Sequence, residues 1–139
     1  MAYVSVSQSP IAHAHLAERK DGEVVLTIHH TDYQLHLVAD NAAVASLPLH
    51  EAVHGKITAK ARRVDVATTG GRFIEPVYGR PRRVQGRISS LDAAANTITV
   101  QTCCPITVTL MPIQKATDFE VGQLVGFDVE KGAAFEPTH

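Results

Sequence analysis

Two stretches of strict alternation constrain this chain more than any other feature. Residues 24–38 read VVLTIHHTDYQLHLV and residues 97–111 read TITVQTCCPITVTLM. Val24, Leu26 and Ile28, then Leu35 and Leu37, recur at every second position, as do Ile98 and Val100, then Ile106, Val108 and Leu110. A period of two is that of a strand with one buried face, because successive side chains leave opposite sides of the backbone. Each stretch is broken once, at His30-Thr31-Asp32 and at Cys103-Cys104-Pro105. Two β-hairpins follow.

The flanking segments fit around these hairpins. Residues 2–7 suit a first strand or a frayed terminus, and residues 11–16 suit a strand that turns at Lys20-Asp21-Gly22. Asp40 and Asn41 are good N-caps for a short helix over residues 42–47, with another turn expected over 49–54 and Gly55 stopping it. Ile57, Ala59 and Ala61 alternate with charged or polar residues, and Val64 and Val66 extend that strand. Residues 68–71, TTGG, form a loop, and Pro76, Gly79 and Pro81 rule out a long regular element after it. Further strands are expected over residues 84–88 and 124–129, with residues 112–118 standing where the first half has its helix.

The two halves read as degenerate copies. After its hairpin each half carries a similar phrase, RVDVATTGGRFIEP and GFDVEKGAAFEP, which sets Asp65 beside Asp128, Phe73 beside Phe135, and Glu75-Pro76 beside Glu136-Pro137. The expected fold is therefore mainly β: two tandem degenerate repeats, each a small OB-like Greek-key barrel with a short helical insert, packed into one compact body. Residues 1–76 form the first repeat, 77–83 a basic connector and 84–139 the second repeat. A chain of 139 residues supports one domain or two very small ones, and units near 60 residues bury too little surface to stand well apart.

Charge is unevenly placed. Residues 1–55 hold two basic and six acidic side chains, residues 56–87 nine and two, and residues 88–139 two and six, for a net charge of −1. Such segregation points to a basic segment that either pairs with its acidic flanks or faces an anionic partner. Arg62, Arg63, Arg72, Arg80, Arg82, Arg83 and Arg87 are the candidate anion-binding or partner-binding residues, since the guanidinium fork matches carboxylate and phosphate. An acidic protein surface or a nucleic acid is the implied partner, and homo-oligomers are compatible with the same pattern. Phe73 and Tyr78 could stack on bases, but the chain is poor in aromatics for a single-strand binder.

A second candidate chemistry lies in the histidines, seven of which fall within residues 1–55. His13 and His15 share one strand face, and His29, His30 and His36 belong to the neighbouring hairpin. Together they are weak candidates for a zinc, nickel or copper site. Cys103 and Cys104 lack the Cys-x-x-Cys spacing of common metal and redox motifs and read as small residues at a bend. No nucleophile elbow, phosphate-cradling glycine loop or His-Glu-x-x-His motif occurs, so no enzyme activity and no cofactor are expected.

The sequence thus describes a non-catalytic binding or assembly module whose arginine segment contacts an acidic surface or nucleic acid. The alternatives are a transition-metal-binding protein using the histidines, and a purely structural role in which the arginines hold the repeats together. Absence of a long apolar run or a secretory leader implies a cytoplasmic location without membrane contact.

Overall fold

The computed structural model describes residues 9–138, so the expected strand at residues 2–7 lies outside them. The fold is mainly β, with 52% of residues in strands and 5% in helix. In chain order the elements are β1 (Ile11–Lys20), β2 (Glu23–Thr27), β3 (Gln34–Val38), α1 (Asn41–Val44), β4 (Ala52–Lys60), β5 (Asp65–Val66), β6 (Phe73–Glu75), β7 (Tyr78–Gly79), β8 (Arg83–Asp92), β9 (Thr97–Gln101), β10 (Pro105–Thr109), a single 3₁₀ turn (Ala116–Asp118), β11 (Leu124–Asp128) and β12 (Ala134–Pro137).

Both expected hairpins form. β2 pairs antiparallel with β3, setting Val24 opposite Leu37 and Leu26 opposite Leu35, and β9 pairs antiparallel with β10, setting Val100 opposite Ile106 and Ile98 opposite Val108. All eight of these side chains are buried. The strand preceding each hairpin is ten residues long, and each carries a register shift where it meets the hairpin, between Leu16 and Glu18 in β1 and between Ile88 and Ser90 in β8. Such a bulge bends a strand sharply enough to help a small sheet curl.

Five strands close into a barrel in the order β1-β2-β3-β12-β4, with β4 returning to pair with β1. The closing strand, β12, comes from the far end of the chain. It runs antiparallel to β4, with Phe135 opposite Ile57, and parallel to β3 at Val38. Ala12, Ala14, Leu16, Val24, Leu26, Leu35, Leu37, Val53, Ile57 and Phe135 fill the interior, each with less than a tenth of its surface exposed. The remaining strands continue the same sheet as β4-β10-β9-β8-β11-β5. The end of β4 runs parallel to β10 at residues 58–60, and a few residues further on β5 pairs with β11. One chain segment therefore serves both halves.

Side-chain amides secure the crossing. Gln114 pairs with both backbone groups of Val64: its Oε1 accepts from Val64 N at 2.8 Å, and its Nε2 donates to Val64 O at 2.8 Å. Asn96, held at a positive φ of 55°, donates through Nδ2 to Gln114 O and accepts from Ala116 N. The buried Gln85 donates through Nε2 to Thr69 O at 2.9 Å and Gly71 O at 2.8 Å, which ties the TTGG loop to β8.

Three local expectations are corrected. The helix spans four residues rather than residues 42–47, because Pro48 disfavours helical geometry in the residue before it. Its N-cap is Asp40, whose Oδ1 accepts from Ala42 N, whereas Asn41 bonds Gly22 N and Asp21 across the preceding turn. Gly55 does not stop a turn but lies inside β4, which starts at Ala52 and buries Val53, Gly55, Ile57 and Ala59 on one face. Finally, Phe73 and Phe135 do not occupy matching places: β6 pairs with β8, whereas β12 pairs with β4. Within residues 77–83, β7 pairs with β3 and Gln34 N donates to Val77 O.

Candidate functional site

A cleft of about 560 Å³ lies where β2 and β3 meet residues 80–82 and the stretch that leads into β12. Its floor is apolar, with Val38, Pro81, Val129 and Ala133, and its charged lining consists of Arg80, Arg82 and Lys131 against the single carboxylate of Glu23. A concave, largely apolar surface with a few converging polar groups is the usual form of a ligand site.

Backbone pairing fixes the arginines at its edge. Arg82 N donates to Glu75 O and Val129 N donates to Arg82 O, both at 2.8 Å, so this residue is held on both sides while its side chain stays exposed. Val38 N donates to Ala133 O at 2.9 Å and secures the opposite wall. Glu23 lies between two cations or potential cations: Oε2 is 3.9 Å from Arg80 Nε, and Oε1 is 3.9 Å from His36 Nδ1. Arg82 and Lys131 have no carboxylate partner among the described residues. His36 packs its ring edge-on against Tyr78 at 4.9 Å, and its Nε2 is buried without a hydrogen-bond partner. Buried polar atoms in folded proteins are nearly always paired, so this nitrogen is an exception within the wall of the cleft.

The seven candidate arginines do not gather in one groove. Only Arg80 and Arg82 line the cleft. Arg83 pairs with Asp128 at 3.1 Å across the β8–β11 ladder, and Arg87 donates to Gly122 O at 2.8 Å. Arg63 pairs with Asp65 at 2.9 Å, two residues along the chain, while Arg62 and Arg72 are exposed elsewhere. Glu23, Lys131 and the cleft role of His36 were not expected from sequence. Lys131 is an isolated cation within an acidic block, and only the return of β12 to β3 brings it beside the arginines.

The histidines do not converge on one point: His15, His29 and His30 form one row and His13 and His54 a separate pair. His15 and His29 approach edge-on at 4.9 Å, His13 lies 5.8 Å from His54, and His29 is 6.2 Å from His30. His36 stands apart in the cleft. Among the described residues no group of three or more His, Cys, Asp or Glu side chains is arranged to hold a metal ion. Likewise, no helix of the described residues is long and apolar enough to cross a membrane. No family model, curated protein or solved structure matches the chain.

Proposed function

We propose that this protein is a non-catalytic binding module that captures an acidic, partly apolar protein segment in the cleft of Arg80, Arg82 and Lys131. The observation that carries this reading is the pairing of two cations that lack carboxylate partners, Arg82 and Lys131, with an apolar floor of Val38, Val129 and Ala133 in one cavity. A carboxylate would take the guanidinium fork of Arg82, and an adjacent apolar side chain would cover the floor. An acidic peptide is favoured over nucleic acid because Tyr78 is the one exposed tyrosine or phenylalanine among the described residues, whereas binders of single strands use several aromatic platforms.

The framework we propose for this site is a pair of OB-like repeats that exchange their closing strands. Support comes from the shared sequence of a ten-residue bulged strand, a five-residue hairpin pair and a short helical turn in both halves, and from the parallel pairing of β3 with β12 and of β10 with β4. In this reading the arginines divide their work. Arg83 and Arg63 pair within the fold, and Arg80 and Arg82 serve the ligand.

The test is a titration with a peptide of alternating glutamate and leucine, and with a single-stranded oligonucleotide, at low and high salt. Saturable peptide binding that weakens with salt and falls at least about tenfold in the double variant Arg82→Glu, Lys131→Glu is the expected result. Preferential binding of the oligonucleotide, or peptide binding that the double variant leaves intact, overturns it.

A further inference from the structure

The basic cleft does not end at Lys131. A second cavity of about 330 Å³ opens beside it, lined by Thr58, Ala59, Lys60, Thr109, Lys131 and Gly132, and the last two residues belong to both cavities. We propose that this second cavity seats a phosphoryl group, so that the acidic segment held in the cleft is a phosphorylated peptide. The seat rests on the peptide-binding role of the cleft proposed above and supplies its second anchor.

Strand register places the two cavities on one face of the sheet. Val38 lies beside Ala134 across the β3–β12 pairing, and Ala134 lies beside Thr58 across the β12–β4 pairing, so the three side chains leave the same side. Val38 lines the cleft and Thr58 the second cavity, and on β10 Thr109 stands beside Lys60. Two strand spacings, about 10 Å, separate Val38 from Thr58. Three residues of a polyproline-II chain span about 9 Å and return their side chains to one side, which sets the distance between an apolar anchor and a phosphorylated residue. The way between the cavities is open: Gly132, at a φ of 108°, has nothing within 4 Å of where a β-carbon would stand.

The linings of the two cavities differ in chemistry. The cleft combines an apolar floor with the carboxylate of Glu23, whereas the second cavity offers two ammonium groups and two hydroxyls and no carboxylate. Lys60 and Lys131 are exposed and pair with no carboxylate among the described residues, and neither threonine hydroxyl is bonded to another described residue. Backbone pairing keeps the two lysines close, since Glu130 N, next to Lys131 in the chain, donates to Lys60 O at 2.8 Å. A phosphoryl group brings about 1.5–2 negative charges at pH 7 and three strong acceptor oxygens, which matches two cations and two hydroxyl donors better than a carboxylate does. Lysine meets phosphate as a point charge and needs no forked geometry to do so.

The experiment is a fluorescence-anisotropy titration of the full-length protein with labelled peptides that carry one Glu-Leu-Glu core in a glycine-serine context. One peptide is plain; the others carry phosphoserine three residues before or after the leucine, glutamate at those places, or phosphoserine eight residues away. Phosphoserine at the three-residue spacing, on one side of the leucine, is expected to tighten binding at least about tenfold over the plain peptide, and glutamate there by less than about threefold. Lys60→Gln should remove the gain and leave the plain peptide within about twofold of its wild-type affinity; the side chain is exposed and only its backbone is paired, so the fold is kept. Equal affinity for plain and phosphorylated peptides, an equal gain from the distant phosphoserine, or a gain that survives Lys60→Gln overturns the phosphoryl seat and leaves the cleft's role standing. Lys60-dependent capture of the phosphopeptide with no binding of the plain one upholds the seat and overturns the cleft's role, and failure of every peptide overturns both. Tighter binding of a single-stranded oligonucleotide than of the phosphopeptide overturns the peptide as occupant.

Discussion

The ring of Phe135 occupies the space in which Gly55 would carry a side chain. A β-carbon on Gly55 would lie 2.7 Å from Phe135 Cε1, and the Glu136 carbonyl oxygen is nearer still. The closing strand and the fourth strand of the barrel thus meet at a position that admits no side chain on one partner because the other supplies an aromatic ring. Gly55→Ala must push β12 outward. A loss of about 1–3 kcal/mol is expected for this overpacking, and about 3–5 kcal/mol for Phe135→Ala, which empties the same space. Urea unfolding measures both. A Gly55→Ala protein as stable as the wild type would show that β12 can shift without cost.

The exposed pair Arg83–Asp128 makes a contrasting case. The two side chains are 43% and 60% exposed, and exposed ion pairs contribute at most about 1 kcal/mol. Arg83→Ala is therefore expected to change the urea midpoint little and to leave binding of the acidic peptide unchanged. A loss of peptide affinity in this variant would move the ligand site away from the cleft and onto β8.

Gln85 holds the TTGG loop through two donated hydrogen bonds from one nitrogen. Replacing it with alanine leaves Thr69 O and Gly71 O, both on exposed residues, without that donor, at an expected cost of about 0.5–1.5 kcal/mol. Hydrogen exchange should accelerate across residues 68–72 before it does so in β8. Unchanged exchange in the loop would show that water replaces the amide.

Thiol chemistry follows from the contact at the second hairpin. Alkylation of Cys103 is expected to rise through a midpoint near pH about 7, because the thiolate is the reactive form and the Cys104 S–H stabilises it. Cys104→Ala removes that donor, so the midpoint should move up toward the ordinary thiol value near 8.5, while Cys104→Ser retains a donor and should keep it low. Rates of iodoacetamide labelling across pH give the comparison. Coincident midpoints for the alanine and serine variants would assign the lowered value to something other than the neighbouring side chain.

Much of the fold was legible because it is written in local periodicity. The hairpins at residues 24–38 and 97–111, their turns and the cap at Asp40 all follow from residues close in sequence. The pairing of β12 with β4 was not legible, since Phe135, Glu136 and Pro137 carry no mark of pairing with Ile57, Lys56 and Gly55 some eighty residues earlier. Gly55 itself was misleading: a glycine among polar residues reads as a stop until the ring packed against it is known. The cleft suffered from the same limitation. Arg80 and Arg82 stood out as part of a basic run, but that run disperses over several elements, and Lys131 joins them only through the path of β12.

The position of β12 also orders events during synthesis. The barrel that begins at Ile11 cannot close until Ala134–Pro137 has left the ribosome, so β1, β2, β3 and β4 wait with their inner faces uncovered and an open edge on β3 and β4. Until then the emerging chain carries apolar strand faces and unpaired strand edges, the features that favour aggregation over folding.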